Sequence, residues 1–558
     1  MGRYAAVDRR KAAGATYTPP ALARFLATHV VAAARPGLDR KRLSLLDPAL
    51  GDGALALALL AALRDQTQAR LELRGFETSA AAAEAARRRL GEQFPDVAVD
   101  IRVEDFLAAQ TGGQVAPCDL LIANPPYVRT QVIGAEVAQQ LAARFGLTGR
   151  VDLYHAFVLA MVAALEEGGV IGAITSNRFL CTRGAAALRR ALVEQVALRQ
   201  VWDLGDTKPF DAAVLPALLV GVRRAGAAEG APPRLTTLYE CAAPAVEACP
   251  DLTSCLDRDG VVSLPDGRRF RVRQGTLAYE RPEEVWRLSS PAVDRWRQRV
   301  ADHTCRRLGS LGKVRVGVKT TADDVFIRDD WDALPPDQLP ELLRPLITHH
   351  AATRYCARPG RRRIAYPHLA TPQGRTVAEL DDYPNMARYL AQHRERLASR
   401  AYLREAGRRW YELWVPHDPA AWERPKLVFR DICQQPTFWL DESGAVVNGD
   451  CYWLGCEPAE ADGLWLALAV CNSSFIETYY DLTFNNRLYG GRRRFMSQYV
   501  EAFPLPAVDD ELGRRIGVLA RERYAEGAQS TATAAMEAEI DQLVWRAFGF
   551  TGVGDGPG

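Results

Sequence analysis

Four short apolar runs constrain this chain more than any other feature: Ser44–Asp47, Leu71–Phe76, Asp119–Ala123 and Val170–Ile174. Ala/Leu-rich helical stretches lie between them, from Ala21 to about Val220. Short unbroken apolar runs of this kind read as strands buried on both faces, and strands that alternate with helices imply an α/β sheet with right-handed crossovers. Beyond them the periodicity weakens, at 225–233 and again at 243–268, where Gly, Pro and small residues increase and a domain boundary is expected. With 558 residues the chain has length for about two to four packed units. Its longest strongly apolar run, Ala156–Leu165, is about half of the roughly 20 residues a membrane span needs. No apolar segment follows the charges at the N-terminus, so a soluble, cytoplasmic protein without a membrane partner is expected. The eleven cysteines include no C-x-x-C pair and do not converge with the eight histidines at metal-ligand spacings. Reduced, mostly buried thiols and no metal site are expected.

The first run leads into chemistry. Leu45-Leu46-Asp47-Pro48-Ala49-Leu50-Gly51-Asp52-Gly53-Ala54 is a strand, a turn with two glycines, then an Ala/Leu helix. Gly51 and Gly53 permit positive φ and close approach of a ligand to the backbone, and open α/β sheets bind ligands at the carboxyl ends of their strands. Taken alone, such a loop is also an ordinary tight turn. Two further acids follow at strand ends. Glu77, after Leu71–Phe76, is placed to accept both hydroxyls of a ribose. Asp105 with Phe106, after the strand-like Val99–Val103, suits an adenine amino group and ring face. Either acid by itself reads as a solvated loop residue; three strand ends in succession favour a nucleoside cofactor.

The third run passes directly into Asn124-Pro125-Pro126-Tyr127. Two prolines fix φ and remove two backbone donors, leaving local carbonyls free to accept hydrogen bonds. The Asn124 side-chain oxygen and the Pro125 carbonyl are then disposed to grip both protons of an exocyclic amine. A rigid Pro-Pro turn is the alternative for a lone motif, and the neighbouring cofactor-type positions argue against it.

On these residues the sequence resembles the gamma-type N6-adenine DNA methyltransferases with a Taq I-like C-terminal specificity domain. The resemblance implies a Rossmann-like S-adenosylmethionine-dependent methyltransferase domain plus a mixed α+β target-recognition domain. Gly14-Ala15-Thr16-Tyr17-Thr18-Pro19-Pro20, ahead of a helix, resembles the N-terminal cofactor motif, which implies that Thr18 lies near the methionine end of S-adenosylmethionine. Asp47, Gly51 and Gly53 match the cofactor loop, Glu77 the ribose-binding acid, and Asp105 with Phe106 the adenine site. Asn124, Pro125, Pro126 and Tyr127 match the catalytic motif. Val201–Gly205 followed by Lys208-Pro209-Phe210-Asp211-Ala212 resembles the late motif whose aromatic packs on the target base. Phe210 is that aromatic, or else an ordinary core residue at a strand start.

Further pieces resemble the specificity domain in the right order: Leu311–Thr321 with Asp324–Ile327, Leu343–Leu346 with Thr353–Tyr355, Tyr383-Pro384 with Tyr389-Leu390, Pro425–Leu427, Cys471–Phe475 and Phe503–Pro506. The implied organisation is a methyltransferase domain over 1–240, a linker or insert over 241–304, a recognition domain over 305–510, and a helical segment with a flexible tail over 511–558, in which Thr551–Gly558 is expected to be disordered. The net charge is only +2, yet from Arg354 to Arg409 there are 13 arginines and 5 acids. That local excess suits phosphate binding. Candidate DNA-binding residues are Arg361, Arg362, Arg363, Arg408, Arg409, Arg492, Arg493 and Arg494, the alternative for each cluster being a solvated surface.

The implied activity is site-specific methylation of N6 of a flipped-out adenine in double-stranded DNA, as the protective enzyme of a type II restriction-modification system. A monomer is expected, with a separate cognate restriction endonuclease acting on the same site without a stable complex. Only about fifteen residues precede the first cofactor motif and no nuclease constellation is apparent, so a fused nuclease is not expected. Two alternatives stay open: N-methylation of RNA or of protein glutamine by the same motif, and a non-catalytic DNA-binding specificity subunit.

Overall fold

Consecutive residues of the central strands enter opposite apolar clusters, and this builds the first half of the molecule. In the computed structural model, which describes residues 18–127, 135–147, 152–210, 214–226, 231–358, 360–457, 460–527 and 532–557, the four runs lie in β1 (Arg42–Asp47), β2 (Arg70–Phe76), β4 (Cys118–Ala123) and β5 (Leu165–Ser176), with β3 (Ala98–Arg102) between the second and third. Leu45, Leu73, Leu120, Ile122, Val170 and Ile174 face one cluster, and Leu46, Leu121, Ala123, Ile171 and Ala173 face the other. Helices cover both faces, as a sheet apolar on both sides demands. The first cluster takes Leu22, Leu26 and Val30 of α1 (Pro20–Ala34), Leu59 and Leu63 of α2 (Ala54–Leu63), and Ala86 and Leu90 of α3 (Ala80–Gln93). The second takes Phe106 of α4 (Phe106–Thr111), Phe157 and Met161 of α6 (Leu153–Ala163), and Leu188 and Leu192 of α7 (Ala186–Gln195); α5 (Ala135–Phe145) precedes α6. Pro20 opens α1 at the first helical position, where its missing N–H costs nothing.

The strand order is β3-β2-β1-β4-β5-β7-β6-β8-β11-β10-β9, with β12 on β11. β1 to β5 pair in parallel. β7 (Pro216–Arg223) is antiparallel between β5 and β6 (Val196–Asp203). Residues 241–304, expected as a linker or insert, contain four strands and the helix Pro291–Asp302. β8 (Arg234–Glu240) is followed by β9 (Glu247–Ala248), β10 (Gly260–Ser263), β11 (Arg269–Ala278) and β12 (Arg287–Ser289), which extend the same sheet. The first compact unit accordingly runs to Pro291, and it also takes in Leu482–Gly491.

The second unit comprises Ala292–Asp481 and the chain from Arg492 onward. It has the mixed α+β character expected. Val314–Val316, Cys451–Gly455, Lys426–Arg430 and Phe438–Asp441 form one four-stranded sheet; Ile327–Arg328, Arg363–Ala365, Leu343–Ile347 and Val446–Val447 form another. Trp331, Trp422, Trp439 and Trp453 are buried in its core, which accounts for the aromatic density of this half. Helices Glu511–Ala525 and Ala532–Ala547 follow. Within the glycine-rich tail, which is described to residue 557, the Asp555 carboxylate accepts the Thr551 amide at 2.8 Å and hydroxyl at 2.6 Å. All eleven cysteines are free thiols. No helix among the described residues is long and apolar enough to cross a membrane.

Candidate active site

β1 and β4 are neighbours where the strand order reverses direction, and a crevice lies outside the carboxyl ends of parallel strands at such a point. Leu45 pairs with Leu120 and Leu46 with Leu121, so Asp47 is level with Ile122 and Asn124 lies two residues further out. The glycine loop and the Asn-Pro-Pro-Tyr segment therefore leave the sheet side by side.

Gly51 (φ 54°) and Gly53 (φ 82°) are both left-handed. A Cβ on Gly51 would meet nothing within 4 Å, whereas one on Gly53 would approach Ala86 Cβ at 3.3 Å. The loop is thus open at Gly51 and packed on α3 at Gly53. Glu77 accepts the Gly51 amide at 3.0 Å and the Ser79 amide at 2.7 Å, one on each oxygen. It shapes the loop; Oε1 also accepts the Thr78 hydroxyl at 3.5 Å, and Oε2 keeps acceptor capacity for a hydroxyl donor. Asp52 turns aside to Arg89, 2.7 Å away. Asp105 caps α4, accepting the Ala108 amide at 2.9 Å, and is exposed. Phe106 is only 2% exposed, with its ring 5.5 Å from Phe76 and 5.3 Å from Phe157. The core takes up its faces, so this ring does not present the adenine-covering surface the sequence suggests.

Asp47 is fully buried. One oxygen accepts the Ala49 amide at 3.1 Å; the other, Oδ2, has no hydrogen-bond partner. Burial pushes its carboxyl up to about 7 against the Ala49 amide, with smaller contributions from Glu77 and Asp52. Because the folded value lies above the unfolded one, the folded chain holds this proton more tightly, and stability falls as pH rises from about 4 to about 7. Ligand-free Asp47→Asn is expected to gain on the wild type by a few kcal/mol across that window and to gain no more above it. Thermal midpoints of both proteins from pH 5 to 8 test this; parallel curves would mean that Asp47 is ionised throughout.

The Asn124 carboxamide is held at both ends. Its Nδ2 donates to Thr18 Oγ1 at 3.2 Å, and its Oδ1 accepts the Tyr127 hydroxyl at 2.8 Å. Burial raises the Tyr127 phenol and keeps it a neutral donor. Pro125 is buried, Pro126 half-buried, and among the described residues nothing donates to the Pro125 carbonyl. Sequence reasoning assigned Thr18 to the cofactor and Tyr127 to stacking, and missed that both hydroxyls orient Asn124. The three-residue spacing of Asn124 and Tyr127 around two rigid prolines was the available signal.

Phe210 is 8% exposed and belongs to the first apolar cluster. The segment before it springs from Asp203, at the end of β6, a fully buried carboxylate with four donors. Asn177 Nδ2 at 2.8 Å and the Gly205 amide at 3.0 Å reach one oxygen; the Tyr239 hydroxyl at 2.6 Å and Asn485 Nδ2 at 2.8 Å reach the other. Burial raises the Asp203 carboxyl, opposed by these four hydrogen bonds. No role was assigned to Asp203 or Asn177 from sequence, although a carboxylate closing the apolar run Val201-Trp202 was a visible cue.

The eight candidate arginines separate sharply. Arg493 is 5% exposed and forked onto Asp481 at 2.7 Å, with Glu477 at 2.8 Å, so it is an internal ion pair. Arg494 pairs with Asp431 at 3.2 Å, Arg363 with Asp332 at 2.5 Å, and Arg409 with Glu379 at 2.5 Å. Arg408 donates to the Trp414 carbonyl at 2.8 Å and lies over the Trp414 ring. Arg361, Arg362 and Arg492 are exposed, with no acidic partner among the described residues. Replacing Arg361 and Arg362 together by alanine is expected to weaken duplex binding on any sequence and to reduce the slope of log K against log salt by about two. An unchanged slope in a filter-binding titration would remove this pair from the phosphate contacts.

Residues 68–210 match the family described as Eco57I restriction-modification methylase, and residues 379–505 the TaqI-like C-terminal specificity domain. The chain is 34% identical to the type II methyltransferase M.BanIII of Aneurinibacillus aneurinilyticus, covering 97% of this chain and 98% of that one. It is 24% identical to the type II methyltransferase M.BstVI of Geobacillus stearothermophilus, covering 88% and 90%. Among solved structures the DrdV–DNA complex superimposes with a TM-score of 0.52 at 12% identity, over 93% of this chain and 57% of that one, a likeness of fold.

Proposed function

Because the chain belongs to the restriction-modification methyltransferases that join an Eco57I-type methylase to a TaqI-like specificity domain, we propose that it methylates N6 of a flipped-out adenine at a specific site in duplex DNA. The methyl donor in this reading is S-adenosylmethionine. The observation that carries the reading is the Asn124 carboxamide, oriented by Thr18 and Tyr127 at the carboxyl end of β4, beside a Pro125 carbonyl to which no described residue donates.

The residues around the glycine loop fit the donor molecule. Asp47 Oδ2 is a buried acceptor without a partner, Gly51 leaves open space over the backbone, and Glu77 Oε2 keeps acceptor capacity at a strand end, suited to a hydroxyl donor. When bound, S-adenosylmethionine supplies an electrophilic methyl on a sulfonium. The adenine amino nitrogen is a weak nucleophile because its lone pair is delocalised into the ring. Asn124 Oδ1 and the Pro125 carbonyl, each accepting one amino proton, hold the nitrogen nearer tetrahedral and turn the lone pair out of the ring plane. No strong base is required beforehand, since a proton becomes acidic only as the N–C bond forms. Extruding the base costs a few kcal/mol. Stacking on Tyr127 and Phe210 returns about 1–3 kcal/mol for each aromatic contact.

The recognition half reads the site, a cognate endonuclease acts separately on the same sequence, and the protein works as a monomer. The test is incubation of purified protein with methyl-labelled S-adenosylmethionine and mixed-sequence duplex DNA, followed by digestion to nucleosides and long-read sequencing. Label in N6-methyladenine at one sequence motif is expected. Label in cytosine, in RNA or in protein, with none in adenine, overturns the proposal.

A further inference from the structure

Ten residues of the C-terminal half, Leu482–Gly491, belong to the first compact unit, although residues on both sides of them belong to the second. The excursion is closed at its base by the Arg493–Asp481 ion pair at 2.7 Å. Several of its contacts converge on one place in the first unit. Asn485 Nδ2 donates to Asp203 at 2.8 Å, at the root of the Leu204–Phe210 segment. The Tyr489 hydroxyl donates to the Val214 carbonyl beyond that segment, and Lys208 Nζ lies 5.4 Å from the centre of the Tyr489 ring. Arg487 sits over the ring of Tyr239, which itself donates to Asp203.

The segment so held is a strained one. Gly205 has φ 48° and Lys208 φ 52°, and a Cβ on Gly205 would fall 2.0 Å from the Leu238 carbonyl oxygen. A non-glycine residue in the left-handed region persists only where its surroundings over-determine it. Asn485 is itself left-handed at φ 45°, a conformation that asparagine tolerates better than most residues. The partners of the segment at its root, its middle and its far end thus include the excursion each time.

We propose that Asn485 and Tyr489 are positioning residues for the base-receiving segment Leu204–Phe210, so that a stretch of the specificity half sets where Phe210 stands when the target base arrives. This rests on the reading of Phe210 as the aromatic that packs on the flipped base. Neither residue touches the reacting atoms. Their effect is on acceptance of the base, and cofactor affinity is left alone.

The experiment uses the full chain, with Asn485→Ala and Tyr489→Phe, on a duplex carrying a fluorescent base analogue at the adenine located by sequencing. Each variant is expected to lower the single-turnover rate about ten-fold, the scale of one well-placed hydrogen bond. Both should blunt the brightening of the analogue, with affinity for S-adenosylmethionine within two-fold of wild type. Wild-type rate and brightening in both variants overturn the proposal, as does a slower rate with a lower thermal midpoint but normal brightening, the mark of a purely structural role. Should Asn485→Ala not fold, Tyr489→Phe, which loses one hydroxyl, carries the test alone. If wild-type protein neither methylates adenine nor brightens the analogue, the parent reading fails first, and that is visible before any variant is made.

Discussion

Replacing Asn124 by alanine is expected to abolish measurable methyl transfer, with the single-turnover rate lower by at least about 10² to 10³, the loss that follows when one preorganised hydrogen-bonding group at a reacting centre is removed. In the proposed mechanism the carboxamide is one of two acceptors for the amino protons, and the Pro125 carbonyl alone would not hold the nitrogen out of the ring plane. Binding of S-adenosylmethionine should survive, because the carboxamide's bonds to Thr18 and Tyr127 are not part of the glycine loop. Equilibrium dialysis with labelled cofactor and rapid-quench transfer assays separate the two effects. Turnover like that of wild type would remove Asn124 from the chemistry; lost cofactor binding would move it into the cofactor site.

The second large effect concerns stability. Arg493 is buried against Asp481 and Glu477 and also donates to the Gln434 carbonyl at 2.6 Å. Burial alone would lower its basicity, but the two carboxylates outweigh that and raise it. Arg493→Ala removes the buried cation from Asp481 and the part-exposed Glu477, which costs about 3–5 kcal/mol. Urea titration followed by tryptophan fluorescence should show a lower midpoint for the second unit, whose core is rich in tryptophan. Arg493→Lys should recover only part, because an ammonium cannot reproduce the fork onto Asp481. If Arg493 instead touched phosphate, alanine would weaken DNA binding and leave the urea midpoint unmoved.

These two residues also mark how far the sequence could be read. The turn at Asn124 was legible because two prolines after a buried strand leave the backbone few choices. The parallel strands were legible for a related reason: with both faces covered, each is an unbroken apolar run. β11 was not, although Phe270 and Val272 alternate with Arg269, Arg271 and Arg273 in a period of two. One-sided strands near glycines and prolines look like loop until a neighbouring strand supplies the partner. Phe106 shows a different barrier. An aromatic after an acid at a strand end can face ligand or core, and only Phe76 and Phe157, distant in the chain, decide it.

The arginines failed for a similar reason. The excess of positive charge between Arg354 and Arg409 is real in sequence, but Arg363, Arg388 and Arg396 pair with Asp332, Asp337 and Asp324 from the stretch before it. Counting charge along a window misses partners that arrive from outside the window. Arg493 looked like one more member of a basic cluster because its two acids, Asp481 and Glu477, lie back in the preceding helix Ser474–Phe484.

The excursion Leu482–Gly491 bears on how such a protein can acquire a new target site. Exchange of the entire C-terminal half between relatives would be the simplest route, but a cut near residue 291 carries ten residues of the catalytic unit away with the donated half. A chimera would then inherit an asparagine and a tyrosine selected against a foreign Asp203 and a foreign Val214. Recombination that respects the spatial boundary needs three junctions, near 291, 481 and 491, and leaves the recipient's own ten residues in place. Grafts built that way should methylate at the donor's sequence with the recipient's rate, whereas single-junction hybrids should bind the new sequence and turn over slowly.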